Sequence, residues 1–281
     1  MKTYSVLIFL IAFLCYSCSN DPTEDIAIEI SIDTNTNDVE GANTIGGVLT
    51  ENLTLEFGQE YVLTEALIVP EGITLSINAG VTIRANTGAD VFVAIEQGAI
   101  IEAEGTSSNP IVFTSNASSP TAGDWGGIIV LGRAPINSVA GGNATSTSEI
   151  GGLPYGGNDP NDSSGVIRYV RVEYSGGSAS ASSENNGFTF YAVGNGTTIE
   201  YIQAFEGLDD GVEFFGGTVN ANYISVIGAQ DDSVDWTEGF SGTLTDVYIE
   251  HRQAHDKGVD CLLYTSPSPR DQRGSRMPSS A

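Results

Sequence analysis

The sequence predicts an all-β chain folded as a right-handed parallel β-helix, a solenoid of coils of about 22–25 residues, truncated at its C-terminal end. From residue 48 onward, short apolar runs alternate with Gly, Asn and Asp, and no helical period of useful length appears. Four segments then repeat in one orientation: "YVRV…NNGFTF", "YIQA…DDGVEF", "YISV…DDSVDW" and "YIEH…DKGVDC", led by Tyr169, Tyr201, Tyr223 and Tyr248. Their second halves open on Asn185-Asn186, Asp209-Asp210, Asp231-Asp232 and Asp256-Lys257, at intervals of 24, 22 and 25 residues. Antiparallel hairpins would alternate direction, and a helical solenoid would carry an apolar helical face in each unit. Stacked parallel coils satisfy both observations.

Along the chain, residues 1–18 read as a signal peptide. Lys2 precedes an apolar run, Val6 to Leu14, too short to span a bilayer. The Ser17-Cys18 end resembles a bacterial lipoprotein cleavage site, which implies lipidation of Cys18, although Cys15 stands where that pattern has Leu. Residues 19–47, opening with "SNDPTED", read as an acidic tether, and residues 48–261 as the β-helix domain. Within it, "VPEGITL" (69–75) and "EQGAIIE" (96–102) pair as N-terminal coils. Period-2 alternation turns Val170/Val172, Ile202/Ala204 and Ile224/Val226 inward as stacked ladders, and places the tyrosines outward or at a turn. The Gly/Ser-rich insert 175–184 reads as a surface loop. Residues 262–281 break the repeat after Cys261 and resemble a non-native readthrough tail, so the native protein is expected to continue beyond 261.

Setting aside Lys2, Arg270, Arg273, Arg276 and Asp271 from totals of 10 Lys+Arg and 36 Asp+Glu leaves six basic against 35 acidic side chains. Nucleic acid is excluded as a partner, because phosphate binding needs clustered Lys and Arg. Attraction to an anionic membrane is disfavoured too, which leaves the lipid anchor as the only membrane link. The three cysteines give neither a disulfide framework nor zinc spacing.

The phrases "GDWGGIIVLGRAPIN" (123–137), "IRYVRVEYSG" (167–176), "GTTIEYIQ" (196–203) and "DDGVEFFGGTVNA" (209–221) resemble a family of Bacteroidota surface and secreted lipoproteins. That family lies within the pectin-lyase-like, right-handed β-helix group. The resemblance implies the fold and a place at the outer membrane, on the cell surface or outside the cell. It implies no particular reaction.

Stacking puts Asp209 over Asp231 and Asp210 over Asp232, about 4.8 Å apart. Like charges at that spacing repel by about a few kcal/mol at an effective dielectric near 20, so something must compensate. Three readings stay open. The pairs are turn formers, as Asn185-Asn186 in the equivalent place suggests. Or they hold calcium, which suits hard oxygen ligands. Or they are catalytic, with His255 and Lys257 contributed by the following coil beside His251 and Arg252. Against catalysis, the pectin-cleaving motif is not reproduced: His255 is followed by Asp256 instead of Gly. Arg252 and Lys257 read equally well as neutralising ion pairs. Trp125, between glycines in "GDWGG", and Trp236, in the place Phe214 holds one coil earlier, are candidates for stacking on a sugar, weighed against core packing. The resulting expectation is a surface or secreted binding module for an extracellular glycan. A polysaccharide hydrolase or lyase and a structural spacer are the alternatives.

Overall fold

The computed structural model describes residues 42–138, 144–180, 183–252 and 254–261. The expectations for the signal peptide, Cys18 and the tail lie outside the described residues. The strands are β1 (Ala42–Val48), β2 (Leu53–Leu55), β3 (Glu60–Val69), β4 (Thr74–Ile77), β5 (Thr82–Ala85), β6 (Gly88–Ile95), β7 (Ile100–Glu104), β8 (Ile111–Ser115) and β9 (Trp125–Leu131). They continue as β10 (Thr145–Thr147), β11 (Pro154–Gly156), β12 (Gly165–Glu173), β13 (Phe188–Tyr191), β14 (Thr198–Phe205), β15 (Val212–Phe215), β16 (Ala221–Ile227), β17 (Val234–Thr237) and β18 (Leu244–Glu250). All but β10 and β11 join one 16-stranded sheet, and its pairings are parallel. This is the predicted right-handed parallel β-helix.

The sheet wraps into faces. One runs β3–β6–β9–β13–β15–β17. The opposite wall is continuous from β12 through β14 and β16 to β18, and each of these long strands serves two faces. The first half of β12 pairs with β7 and the second half with β8. The bend between the halves falls on Tyr169, at φ 50°, and its equivalents are Tyr201 at 54° and Tyr223 at 59°. Left-handed backbone is unfavourable for residues with a Cβ. One residue in that conformation, repeated once per coil, turns the corner. The rings stack in an exposed column, with centroids 4.4 and 4.2 Å apart.

The last coil departs from the expected alignment. Ile224 pairs with Val247, so the corner equivalent to Tyr223 is Asp246, at φ 54°, and Tyr248 lies opposite Ser225. Asp tolerates the left-handed conformation better than most residues, and the corner selects for that tolerance over aromaticity. The expected pairing of the N-terminal coils is present, with Thr74 opposite Ile100. β1 runs through residues assigned from sequence to the tether and pairs with β3.

The core is the inside of the solenoid. Val170, Val172, Ile202, Ala204, Ile224 and Val226 are buried there, as the alternation predicts. Phe190, Phe214 and Phe240 stack in succession, with Phe188 beside Phe190 on the same strand. In the 175–184 insert, Ser178 is exposed, whereas Ser175 and Gly177 are buried and the Gly177 carbonyl accepts from Asn185 Nδ2.

A second apolar cluster sits outside the solenoid. After β9 the chain makes an excursion carrying the antiparallel β10–β11 pair. Its Ile136, Ile150 and Tyr155 pack on the outward side chains Phe92, Ile129, Tyr191 and Phe215. The excursion is tied at its neck: Gly156 N–H donates to Gly132 O, and Gln97 Nε2 donates to both the Gly132 and Gly156 carbonyls, at 2.8 and 2.9 Å.

Candidate functional site

The face formed by β9, β13, β15 and β17 carries two outward ladders. One reads Leu131, Tyr191, Phe215, Thr237; the other reads Ile129, Thr189, Glu213, Asp235. Both are apolar where the excursion covers them and become polar beyond it. At the open end lies a cavity of about 350 Å³ lined by Glu149, Glu213, Phe215, Asp235, Thr237 and Glu238. Among the described residues, no basic side chain lines it. Glu149 belongs to the excursion, and Glu238 accepts a 2.9 Å hydrogen bond from the excursion's Tyr155 hydroxyl.

Along one border of this face run the paired residues of the repeat. Asn186 lies over Asp210 and Asp210 over Asp232, by the register Phe188–Val212–Val234. The Asp210 carboxylate accepts the backbone N–H of Asp232 at 2.8 Å, and Asp232 accepts that of Lys257 at 2.6 Å. The second member of each pair therefore ties its coil to the next, which is the turn-forming role made specific. In "DDGVEF", Gly211 has no room for a side chain: a Cβ there would lie 2.3 Å from Val226 Cγ1.

The electrostatics follow from burial. Asp210 and Asp232 are buried. Burial, then the charge of Asp209, pushes the Asp210 carboxyl up to about 9. Burial, then Glu184 and Asp231, pushes Asp209 up to about 7. Glu213 is held well above the usual carboxyl range by burial and by Asp210 and Asp235. Asp235, Glu149 and Glu238 are raised by burial as well. Asp232 is raised by burial, against the lowering effect of the Lys257 backbone bond and ammonium.

Of the other sequence candidates, only Lys257 reaches the acidic border. Lys257 gives its ammonium to Asp256 at 2.5 Å, Asp260 at 3.2 Å and Asp232 at 3.7 Å, so it neutralises the border of the face. Arg252 pairs with Glu206 and Glu250. His255 is exposed and stacks on His251, with ring centroids 3.3 Å apart. Trp125 is fully buried against Phe113, its indole N–H donating to Glu173 O at 2.8 Å, so it presents no stacking face. The neighbouring glycines answer a backbone constraint: a Cβ on Gly127, at φ 120°, would stand 2.0 Å from Asn186 O. Trp236 occupies the register of Phe214 and packs against the core. With Val234, Phe240, Leu244, Val247 and Val259 it lines an apolar cavity of about 390 Å³ that contains no titratable group.

The sequence reading missed Glu213, Asp235, Glu149, Glu238 and Thr237. The first two had a signal: "GVEF" and "SVDW" place an acid at the same alternating position, one outward step beyond the pair. Glu149 had none, because the excursion lies outside the repeat.

In the oxygen geometry, Asp210, Glu213 and Asp235 each offer a carboxylate oxygen, and these lie within 4.8 Å of one another. Asp209, Asp210 and Asp231 make a second such group, and Asp231, Asp232 and Asp256 a third. Together these include the four aspartates expected from sequence to hold calcium. Thr237 Oγ1 and Asn186 Oδ1 are buried with no hydrogen-bond partner. The arrangement can donate hydrogen bonds from protonated acids, accept them from hydroxyls, or ligate a hard cation.

Among families of known proteins, the model described as pectate-lyase like beta helix domain matches residues 47–273. No curated protein and no solved structure matches the chain.

Proposed function

The chain belongs to the pectate-lyase-like β-helix domain family, and on that premise we propose that it is a surface or secreted module that binds an extracellular polysaccharide. The site is the acid-lined cavity at the end of the β13–β15–β17 face. The observation that carries this reading is the cavity's composition: Glu149, Glu213, Asp235 and Glu238 surround Phe215, with no basic side chain among the described lining residues. Carboxyls in a partly dry site suit the hydroxyls of a sugar, and Phe215 offers an apolar floor. The same composition disfavours an uncompensated polyanion. A flat polar flank, expected of a spacer, is not what this face offers.

Hydrolysis is the second reading, and one observation favours it. Glu213 and Asp235 are adjacent on one ladder, with their pKa values raised. A protonated carboxyl beside a second acid is what general-acid cleavage of a glycosidic bond requires. Binding is preferred because Asp210 and Asp232, the repeat's own acids, are engaged in coil-to-coil ties, and His255 is stacked on His251.

Retention of wild-type protein on a panel of insoluble neutral and acidic polysaccharides, paired with a reducing-end assay, tests the reading. Retention without product, lost in Glu213→Gln/Asp235→Asn, is expected. Product release abolished by the same substitutions would make the protein a hydrolase. No retention on any polysaccharide would leave the spacer reading. The proposed location rests on the lipoprotein-like end of the signal segment. In the native host, Cys18→Ser should move the protein from the membrane to the soluble fraction.

A further inference from the structure

We propose that the corner column of Tyr169, Tyr201 and Tyr223 is a site of oxidative modification, at which an oxidant of the peroxidase class couples Tyr201 to Tyr223 or to Tyr169 as dityrosine, a covalent staple between successive coils. The column belongs to β12, β14 and β16, none of which lines the acidic cavity. The proposal stands independently of the polysaccharide reading.

Coupling needs two phenols within reach of each other and open to an oxidant. Among the described tyrosines, this column alone meets both conditions. Its ring centroids are 4.4 and 4.2 Å apart, and the planes are within 7° and 6° of parallel, so the ring carbons of one phenol lie over those of the next. Tyr201 and Tyr223 are exposed. The phenols also sit side by side: desolvation raises that of Tyr201, and after it the hydrogen bond and charge of Tyr223, then Tyr169. Tyr155 and Tyr191 have the proximity, at 4.6 Å, but both are buried and their rings are tilted by 37°. Tyr248 has the exposure, but its hydroxyl donates to a Glu250 carboxylate oxygen at 3.0 Å and lies in another register from Tyr223. Tyr174 meets Phe205 edge on, and a phenyl ring forms no phenoxyl radical. Tyr61 is buried.

The backbone fixes which partners meet. Each tyrosine occupies a left-handed corner, and the residues after it pair in register, Val170 with Ile202 and Ile202 with Ile224. An oxidised ring therefore meets the same neighbour at every encounter, which makes coupling effectively unimolecular. The step balances with hydrogen peroxide as the oxidant. Each of two phenols gives up one electron and its hydroxyl proton, and these reduce the peroxide to water. The two phenoxyl radicals join through the ring carbons beside their oxygens, forming one C–C bond. The hydrogens on those carbons leave as protons while protons return to the oxygens, which restores two phenols. The product has lost two hydrogens. Such a link closes one coil's length of chain and restricts the unfolded state as a disulfide does. Exposure leaves the rings free to swing out of the stack as the bond forms.

The test treats the full chain with a haem peroxidase and hydrogen peroxide, then maps the digested monomer by mass spectrometry. Expected are dityrosine fluorescence, linked peptides joining Tyr201 to Tyr223 or to Tyr169 with two hydrogens lost, and a higher melting temperature. Tyr201→Phe keeps a stacked ring but forms no phenoxyl radical, so it should remove both links. Tyr223→Phe should leave the link between Tyr169 and Tyr201, and Tyr248→Phe should remove neither. Unfolding in urea before oxidation should abolish the preference for these pairs. If Tyr201→Phe does not fold by circular dichroism, the wild-type peptide map decides. Links confined to other tyrosines or to dimers, the same pairs at the same yield after urea, or no dityrosine while free tyrosine couples in the same mixture would each overturn the proposal. A link that leaves the melting temperature unchanged would overturn its role as a staple. No polysaccharide is present, so either result leaves the polysaccharide experiment untouched.

Discussion

The corner column of Tyr169, Tyr201 and Tyr223 and the turn column of Asn186, Asp210 and Asp232 are made by one device, a residue type repeated at one place in successive coils. Their physics is opposite. The tyrosines stack nearly parallel, at 7° and 6°, on an exposed edge, with Tyr201 and Tyr223 37 % and 45 % exposed. Aromatic stacking adds about 0.5–1.5 kcal/mol per pair, which offsets the roughly 1–2 kcal/mol cost of left-handed backbone at each corner. The aspartates are buried and repel one another. They persist because each accepts a backbone N–H from the next coil, because burial pushes the Asp210 carboxyl up to about 9, and because Lys257 lies beside Asp232. A solenoid therefore amplifies whatever it repeats. Attraction between like groups accumulates without help, whereas repulsion has to be neutralised at every step.

The inner aromatic stack sets the upper scale for testing this contrast. Phe214 lies between Phe190 and Phe240, with centroids 5.2 and 4.6 Å away. Phe214→Ala should cost about 3–5 kcal/mol in urea unfolding. A cost below that of a corner tyrosine would mean that the stacks are not governed by burial.

Next comes pH. Asp210 titrates near 9 when folded and in the ordinary carboxyl range when unfolded, so the folded state binds the extra proton. Stability should fall as pH rises through that window, by at most about 1.4 kcal/mol per pH unit for each such group. Asp209, pushed to about 7, contributes only to the lower part of it. Melting temperatures from pH 5 to 9 check the sign, and Asp210→Asn should flatten the curve. Tyr201→Gly should leave the slope unchanged.

Removing the tie itself is a smaller perturbation. Asp210→Ala leaves the Asp232 N–H without its acceptor and should cost about 1–3 kcal/mol, whereas Asp210→Asn keeps an acceptor and should cost less. Equal losses would mean that charge, not the hydrogen bond, holds the coils together. The smallest effect belongs to the corner. Tyr201→Ala should cost about 0.5–1.5 kcal/mol of stacking, and Tyr201→Gly less, because glycine relieves the backbone at φ 54°. Chemical denaturation resolves the order of the two.

The repeat made much of this legible in the sequence. Alternation alone identified Val170, Val172, Ile202 and Val226 as core, and repeated phrases alone stacked Asp210 on Asp232. The errors have local causes. Tyr248 looks like the fourth corner tyrosine, but the corner demands a left-handed backbone, and Asp246 takes it two residues earlier. Trp125 looks displayed among glycines, but those glycines permit backbone contact with the next coil, and the indole turns inward. Glu213 and Asp235 stood in plain view yet were overshadowed by the louder acidic pairs. The excursion's share of the site, Glu149 and Tyr155, follows no period, so its place against the face depends on tertiary packing that no spacing rule encodes.

The Gln97 clamp has a consequence for how such a protein can change. It pins the carbonyls of Gly132 and Gly156, so the excursion leaves and rejoins the solenoid through a closed neck. The coils below it keep their register whatever length of chain lies above, since lengthening a closed loop costs little. The excursion that borders the cavity is thus joined to the stacked strands through one tied neck. On the proposed polysaccharide-binding function, rewriting residues between the two glycines would change specificity while the stacked strands stay as they are.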